Sequence, residues 1–109
     1  MTPVVLADFK KLDLRLARIV DVEEIQGADR LWKLTVDAGA GNKTLVAGIK
    51  KAYPEKGALI GKNIVVIDNL EPALIRGVES KGMLLAAKEG DRLALLSVDQ
   101  ALSPGSPVG

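Results

Sequence analysis

The segment DLRLARIVDVEEI, Asp13 to Ile25, constrains the fold more than any other part of the chain. Its even positions hold Leu14, Leu16, Arg18, Val20 and Val22, and its odd positions include Asp13, Arg15, Asp21 and Glu23. A period of two is that of a β-strand with one face in the core and one in water, because successive side chains point to opposite faces. An amphipathic helix needs apolar residues at three- and four-residue spacing instead. The segment is long for a strand, so it is expected to curve or to carry a bulge.

The same signature repeats downstream. In LWKLTVDA, Trp32, Leu34 and Val36 alternate with Lys33, Thr35 and Asp37. Gly39-Ala40-Gly41-Asn42 supplies residues that tolerate positive φ, and predicts a hairpin whose return strand runs from Lys43 to Ala47. NIVVIDNL is continuously apolar over its first five residues save Asn63, as in a strand buried on both faces or curled in a barrel. Met83 to Ala87 and Leu93 to Val98 read as strands around a turn at Gly90-Asp91. Asn69 to Gly82, with Pro72 and Gly77, reads as a long connection. A short helix is expected over Leu6 to Leu12, and a loop with Pro54 and Gly57, preceded by a helical turn, is expected after Ala47. The tail LSPGSPVG is turn-rich, and its prolines argue against helix but not against packing.

About five principal strands with little helix must protect their edges, and closing the sheet into a barrel does this completely. The expected fold is all-β: a five-stranded OB-type barrel with a short N-terminal helix and a C-terminal extension, ahead of an SH3-like barrel. The 109 residues, without repeat or low-complexity tract, suit a single domain over 1–109.

Composition narrows the chemistry. The chain has no cysteine and no histidine, which removes thiolate metal sites, disulfides and the commonest general base. No cofactor and no metal are expected, and no catalytic residue is assigned. Ser80, Ser97, Ser103 and Ser106 have no histidine to activate them. A Ser80–Lys81 pair fails because neighbouring strand residues face opposite ways. GAGNKT resembles a phosphate loop, but Asn42 stands where a glycine must precede Lys-Thr, and the motif joins two strands rather than opening a helix. No apolar run approaches the ~20 residues of a membrane-spanning helix, and the N-terminus lacks the apolar region of a signal peptide. The expected location is the cytoplasm, without membrane association.

Binding remains. Net charge is only +1, but its distribution is uneven. Asn42 to Lys62 holds five basic residues (Lys43, Lys50, Lys51, Lys56, Lys62) against the single acid Glu55, whereas Asp8 to Glu24 holds four basic residues against five acids. OB barrels bind on the face of strands 2 and 3, rimmed by the loops between strands 1 and 2 and between strands 4 and 5. That places Lys33, Thr35 and Lys43 on the face, and Gln26 to Arg30 and Asn69 to Lys81 on the rims. Asn69, Arg76, Ser80 and Lys81 are donors suited to phosphate, ribose or base edges. Plainer readings stand beside these: Lys33 as a solvated lysine, Asn69 as a cap on the fourth strand, Met83 and Trp32 as core. With only Phe9, Trp32 and Tyr53 as aromatics, the chain suits reading a backbone shape better than stacking bases.

The order DLRLARIVDVEEI, GADRLWKLTVDAG, NLEPALIRGVESKGMLLAA resembles the tRNA-binding OB module, from Asp13 to about Val98. This module occurs as a free tRNA-binding protein and as the C-terminal appendix of methionyl-tRNA synthetases. The most specific stretches are Asp13-Leu14-Arg15, Ala28-Asp29-Arg30-Leu31 and Ser80-x-Gly82-Met83-Leu84-Leu85. The resemblance implies a non-catalytic module that recognises folded tRNA by shape, raises the affinity of a synthetase for tRNA, and forms a homodimer through its N-terminal helix and C-terminal segment. A synthetase catalytic domain is then an implied fused or associated partner. By position it implies a tRNA face including Asn69, Arg76, Ser80 and Met83, to which the OB geometry adds Lys33, Lys43 and Lys81. Two departures bear on the loops: Glu71 stands where the family often has lysine, and Ile25-Gln26-Gly27 replaces a frequent His-Pro-Asn. A relative of this family acts as an export-related peptide-binding chaperone. That alternative implies an apolar groove near Met83, where tRNA binding implies a basic one.

Overall fold

The structure, a computed structural model, describes residues 1–109. Strand β1 (Leu14–Glu24) is the centre of a six-stranded antiparallel sheet. Along the sheet it is flanked by β2 (Trp32–Asp37) and then β3 (Asn42–Ala47) on one side. On the other side lie β4 (Asn63–Ile67) and then β7 (Met83–Leu84). The hairpin expected at Gly39–Asn42 is present, with Asp37 paired to Asn42 and Trp32 to Ala47. The sheet curls around one core built from Ala17, Ile19, Val22, Trp32, Leu34, Val36, Leu45, Ile64 and Val66, with Leu59 from a short helix α2 (Lys56–Leu59). The OB architecture expected from the sequence is the one observed.

The phase of β1 differs from simple alternation. Its register against β2 shifts between Ile19 and Asp21, leaving Val20 as the extra residue of a β-bulge. Ala17 and Ile19 therefore share the barrel core with Val22, although one pair is odd and the other residue even. Leu14 and Leu16 are also buried, but outside that cluster, on the opposite face, level with Ile67 and Val65 of β4. Val20, expected inside, is 40% exposed. Both faces of the first half of β1 and of β4 are thus covered, which agrees with the continuous apolar run of β4.

The C-terminal extension covers an edge that the main strands leave open. β2 ends at Asp37, opposite Arg18, so the first residues of β1 have no partner on that side. Residues β10 (Pro107–Val108) fill it, pairing with Arg15 and Leu14. Gly105 N–H donates to Leu16 C=O at 2.7 Å, and Leu16 N–H to Ser106 C=O at 2.9 Å. Prolines suit an edge strand because their missing N–H falls on the unpaired side.

Further expectations change, and among them the strand expected over Leu93 to Val98 stops at Leu95. The N-terminal helix α1 is shorter, Leu6–Phe9, and the chain then tightens into turns closed by Lys11 N–H on Asp8 C=O and Leu12 N–H on Phe9 C=O. The connection after β4 is not irregular: it contains a hairpin, β5 (Ala73–Ile75) and β6 (Val78–Ser80). The strand expected over Met83 to Ala87 divides at Leu85, so that β7 stays with β4 while β8 (Ala86–Glu89) pairs with β9 (Arg92–Leu95).

Candidate nucleic-acid interface

Each step from β3 through β2, β1 and β4 to β7 is antiparallel, so β3 and β7 run in the same direction. The barrel closes between them, and Ser80-Lys81-Gly82 is the seam. Lys81 N–H donates to Thr44 C=O at 2.9 Å. The Ser80 hydroxyl accepts from Val46 N–H at 3.0 Å and donates to Gly82 C=O at 3.2 Å. Ser80 is 4% exposed, the one buried polar residue of the protein. Its side chain supplies the acceptor that a further strand would have offered, so the Val46 donor stays satisfied. Gly82 lets the chain cross β4 closely: a Cβ there would lie 2.8 Å from Ile67 O. Beyond the seam the walls part around a cavity of about 430 Å³, lined by Val46 to Ile49, Met83 to Ala86, Lys88 and Leu93.

The other sequence-predicted residues lie around this seam and on the adjoining sheet in distinct states. Arg76 occupies the tip of the β5–β6 hairpin, with φ 49°, followed by Gly77 at φ 79°. Two left-handed residues between the paired Ile75 and Val78 form a type I′ turn, whose twist matches that of the flanking strands. Arg76 is exposed and takes part in none of the ion pairs. Lys81 is exposed, with its ammonium 3.5 Å from Glu79. Lys33, on β2, lies 3.4 Å from Glu23. Such exposed pairs contribute about 0–1 kcal/mol, so exchanging the carboxylate for a phosphate costs little. Met83 is half exposed rather than core, and Leu74 of the same rim is 77% exposed.

Lys43 and Asn69 are committed to the scaffold more firmly. The Lys43 ammonium donates to Asp68 Oδ1 at 2.7 Å and to Asp68 C=O at 2.9 Å, tying β3 to the end of β4. Asn69 Oδ1 accepts from Asp13 N–H at 2.8 Å, and its Nδ2 donates to Lys11 C=O at 2.7 Å. Asn69 thus holds the chain leaving α1 against the entry to β1. Glu23, one of the polar odd positions of the first strand, restrains a candidate contact. Only its place opposite Lys33 in the β1–β2 register marks it, and that register depends on the bulge.

The tRNA binding domain family model matches residues 14–107. The methionine–tRNA ligase of Thermotoga maritima is 46% identical over 106 residues, covering 96% of this chain; the chain spans 16% of that enzyme's length. Among solved structures, a MetRS related protein from Pyrococcus horikoshii superposes with a TM-score of 0.92 at 32% identity, each chain covered in full. The CsaA chaperone of Bacillus anthracis superposes with a TM-score of 0.89 at 29% identity, over 99% of this chain and 100% of its own. The fold, the match across nearly all of its strands and these relatives together show that the chain belongs to the tRNA binding domain family.

Proposed function

We propose that the chain is a non-catalytic module that binds folded tRNA through the shape of its phosphate backbone. The observation that carries this reading is Arg76, an unpaired guanidinium held out on a two-residue turn, with Lys81 on the same rim. Arginine presents a planar fork of donors matched to phosphate. Lys33 adds charge on the sheet face and Met83 an apolar contact, while Ser80, Lys43 and Asn69 shape and stiffen the rim around them. Base stacking has little to work with: Trp32 is 2% exposed and the Tyr53 hydroxyl accepts from Leu95 N–H. The similarity to methionine–tRNA ligases supports a role as the C-terminal part of such an enzyme, or as a free homologue, that raises tRNA affinity in the cytoplasm.

A homodimer belongs to the same reading. Val4, Val5, Leu6, Phe9 and Leu12 are 42% to 73% exposed, an apolar surface that a second copy would cover. Two-fold pairing doubles the phosphate contacts available to one tRNA.

One observation favours a second reading, an extended apolar peptide seated near Met83. The cavity between Val46–Ile49 and Met83–Ala86 has mostly hydrophobic walls, and a CsaA chaperone shares the fold. Titration of labelled, folded tRNA across a salt series, with unfolded tRNA and an unstructured peptide as competitors, separates the two. Competition by folded tRNA alone, with a log–log salt slope of about −4 to −5 for ~5 phosphate contacts, is the expected result. Peptide competition with a flat slope rejects it in favour of the groove.

A further inference from the structure

The basic stretch between β3 and β4 contains lysines that the rim does not use. The turn after β3 is held at several points. Lys50 N–H donates to Arg30 C=O at 3.3 Å, and Tyr53 N–H to Ile49 C=O at 2.9 Å. Trp32 Nε1–H donates to Tyr53 C=O at 2.8 Å. The buried Trp32 ring has the Lys50 ammonium 4.6 Å from its centroid and the Lys56 ammonium 5.7 Å from it. Two like charges are therefore tethered to one side chain at the end of the barrel. Lys51, exposed, follows on the same fixed turn.

The charges facing this cluster are few. Glu24, at the end of β1, reaches the Lys50 ammonium at 3.2 Å, and its own side chain is 66% exposed. Asp29, next to Arg30, and Glu55, next to Lys56, are exposed and make no ion pair, and neither Lys51 nor Lys56 has a carboxylate partner. Glu23 and Glu24 point to opposite faces of β1 and each holds one lysine, Lys33 and Lys50. A carboxylate that is mostly in water and bound to a half-buried lysine occupies the position an RNA phosphate would take. A phosphate there also relieves the mutual repulsion of Lys50 and Lys56.

We propose that Lys50, Lys51 and Lys56 form a second phosphate-binding patch for the RNA backbone, separate from the Arg76 rim, with Glu24 holding Lys50 in place until a phosphate displaces it. This rests on the tRNA reading above. Lys50 and Lys56 are held against the Trp32 ring, and Lys50 also by its backbone bond to Arg30, so these two lose less side-chain freedom on binding than free surface lysines.

The test is binding of a folded tRNA transcript to the full chain across a salt series. The variants are Lys51→Ala combined with Lys56→Gln, then Glu24→Gln, with Arg76→Ala as the control for the rim. The double variant is expected to bind about tenfold more weakly at 0.1 M salt and to flatten the log–log slope by about 2. Glu24→Gln is expected to bind about twofold or more tightly. Lys51→Glu, at an exposed position, repeats the loss without touching the Trp32 ring. Wild-type affinity and slope in the double variant and in Lys51→Glu, with binding weakened by Arg76→Ala, overturn the second patch alone. A wild-type chain that fails to retain the transcript overturns the tRNA reading and this patch together.

Discussion

Gly39 and Gly105 meet backbone to backbone: a Cβ on Gly39 would lie 2.7 Å from the Gly105 Cα, and one on Gly105 would lie 2.9 Å from the Gly39 Cα. The contact brings the β2–β3 turn against the C-terminal segment where that segment turns in to pair with β1. The Arg15 guanidinium braces it, donating through Nη1 to Gly105 C=O at 3.1 Å and through Nε to Asp13 at 2.6 Å. Both glycines also have left-handed φ, 95° and 89°. Gly39→Ala and Gly105→Ala are each expected to destabilise the fold by about 2–4 kcal/mol, since a side chain meets backbone on top of the left-handed penalty. Urea unfolding measures this, and a loss below about 0.5 kcal/mol in both variants would show that the contact is not tight.

Ser80→Ala leaves the Val46 N–H buried without its acceptor. The expected cost is about 1–3 kcal/mol. Weaker tRNA binding should accompany it through a looser rim, with the salt slope unchanged because no charge is lost. A stability equal to wild type with binding abolished would instead assign the hydroxyl a direct contact to RNA.

Arg76 sets stability against binding. A non-glycine residue at φ 49° carries a left-handed cost of about 1 kcal/mol that Arg76→Gly removes, against a smaller entropy loss. The variant is expected to be as stable as wild type or slightly more so, yet to bind tRNA more weakly and with a slope flatter by about 1. Paired thermal unfolding and binding titrations check it. Unchanged binding would remove Arg76 from the interface.

Deletion of residues 1–12 removes the exposed apolar face of α1 but no residue of the barrel core. The shortened chain is expected to fold and to sediment as a monomer, with tRNA affinity lowered by ~10²-fold through lost avidity. Sedimentation velocity and titration on the same sample decide it. A monomeric wild type, or a dimer that survives the deletion, rejects this segment as the contact.

Much of the barrel was legible in the residues. The alternation of Trp32, Leu34 and Val36, the glycines at the β2–β3 turn and the apolar run Ile64 to Ile67 act locally, and each element formed where its pattern lies. The candidate site was legible as a region rather than as roles. Arg76 and Lys81 are exposed as a contact requires, but Lys43 and Asn69 are also engaged in holding β3, β4 and the N-terminal segment together. Residue type marks them all as donors; only the distances show which donors already have acceptors.

The sequence by itself determined the strands β1 to β4, the turn between β2 and β3 and the all-β class, because period-two patterning and positive-φ residues express backbone sterics over a few residues. Tertiary structure decided the rest. The bulge at Val20 brings Ile19 and Val22 to one face, and it exists only through pairing with β2. The tail became a strand because β2 stops at Asp37 and leaves an edge of β1 to be paired. Ser80 became the seam because closing a short barrel left the Val46 N–H in need of an acceptor, and a buried donor must find one wherever in the chain it lies.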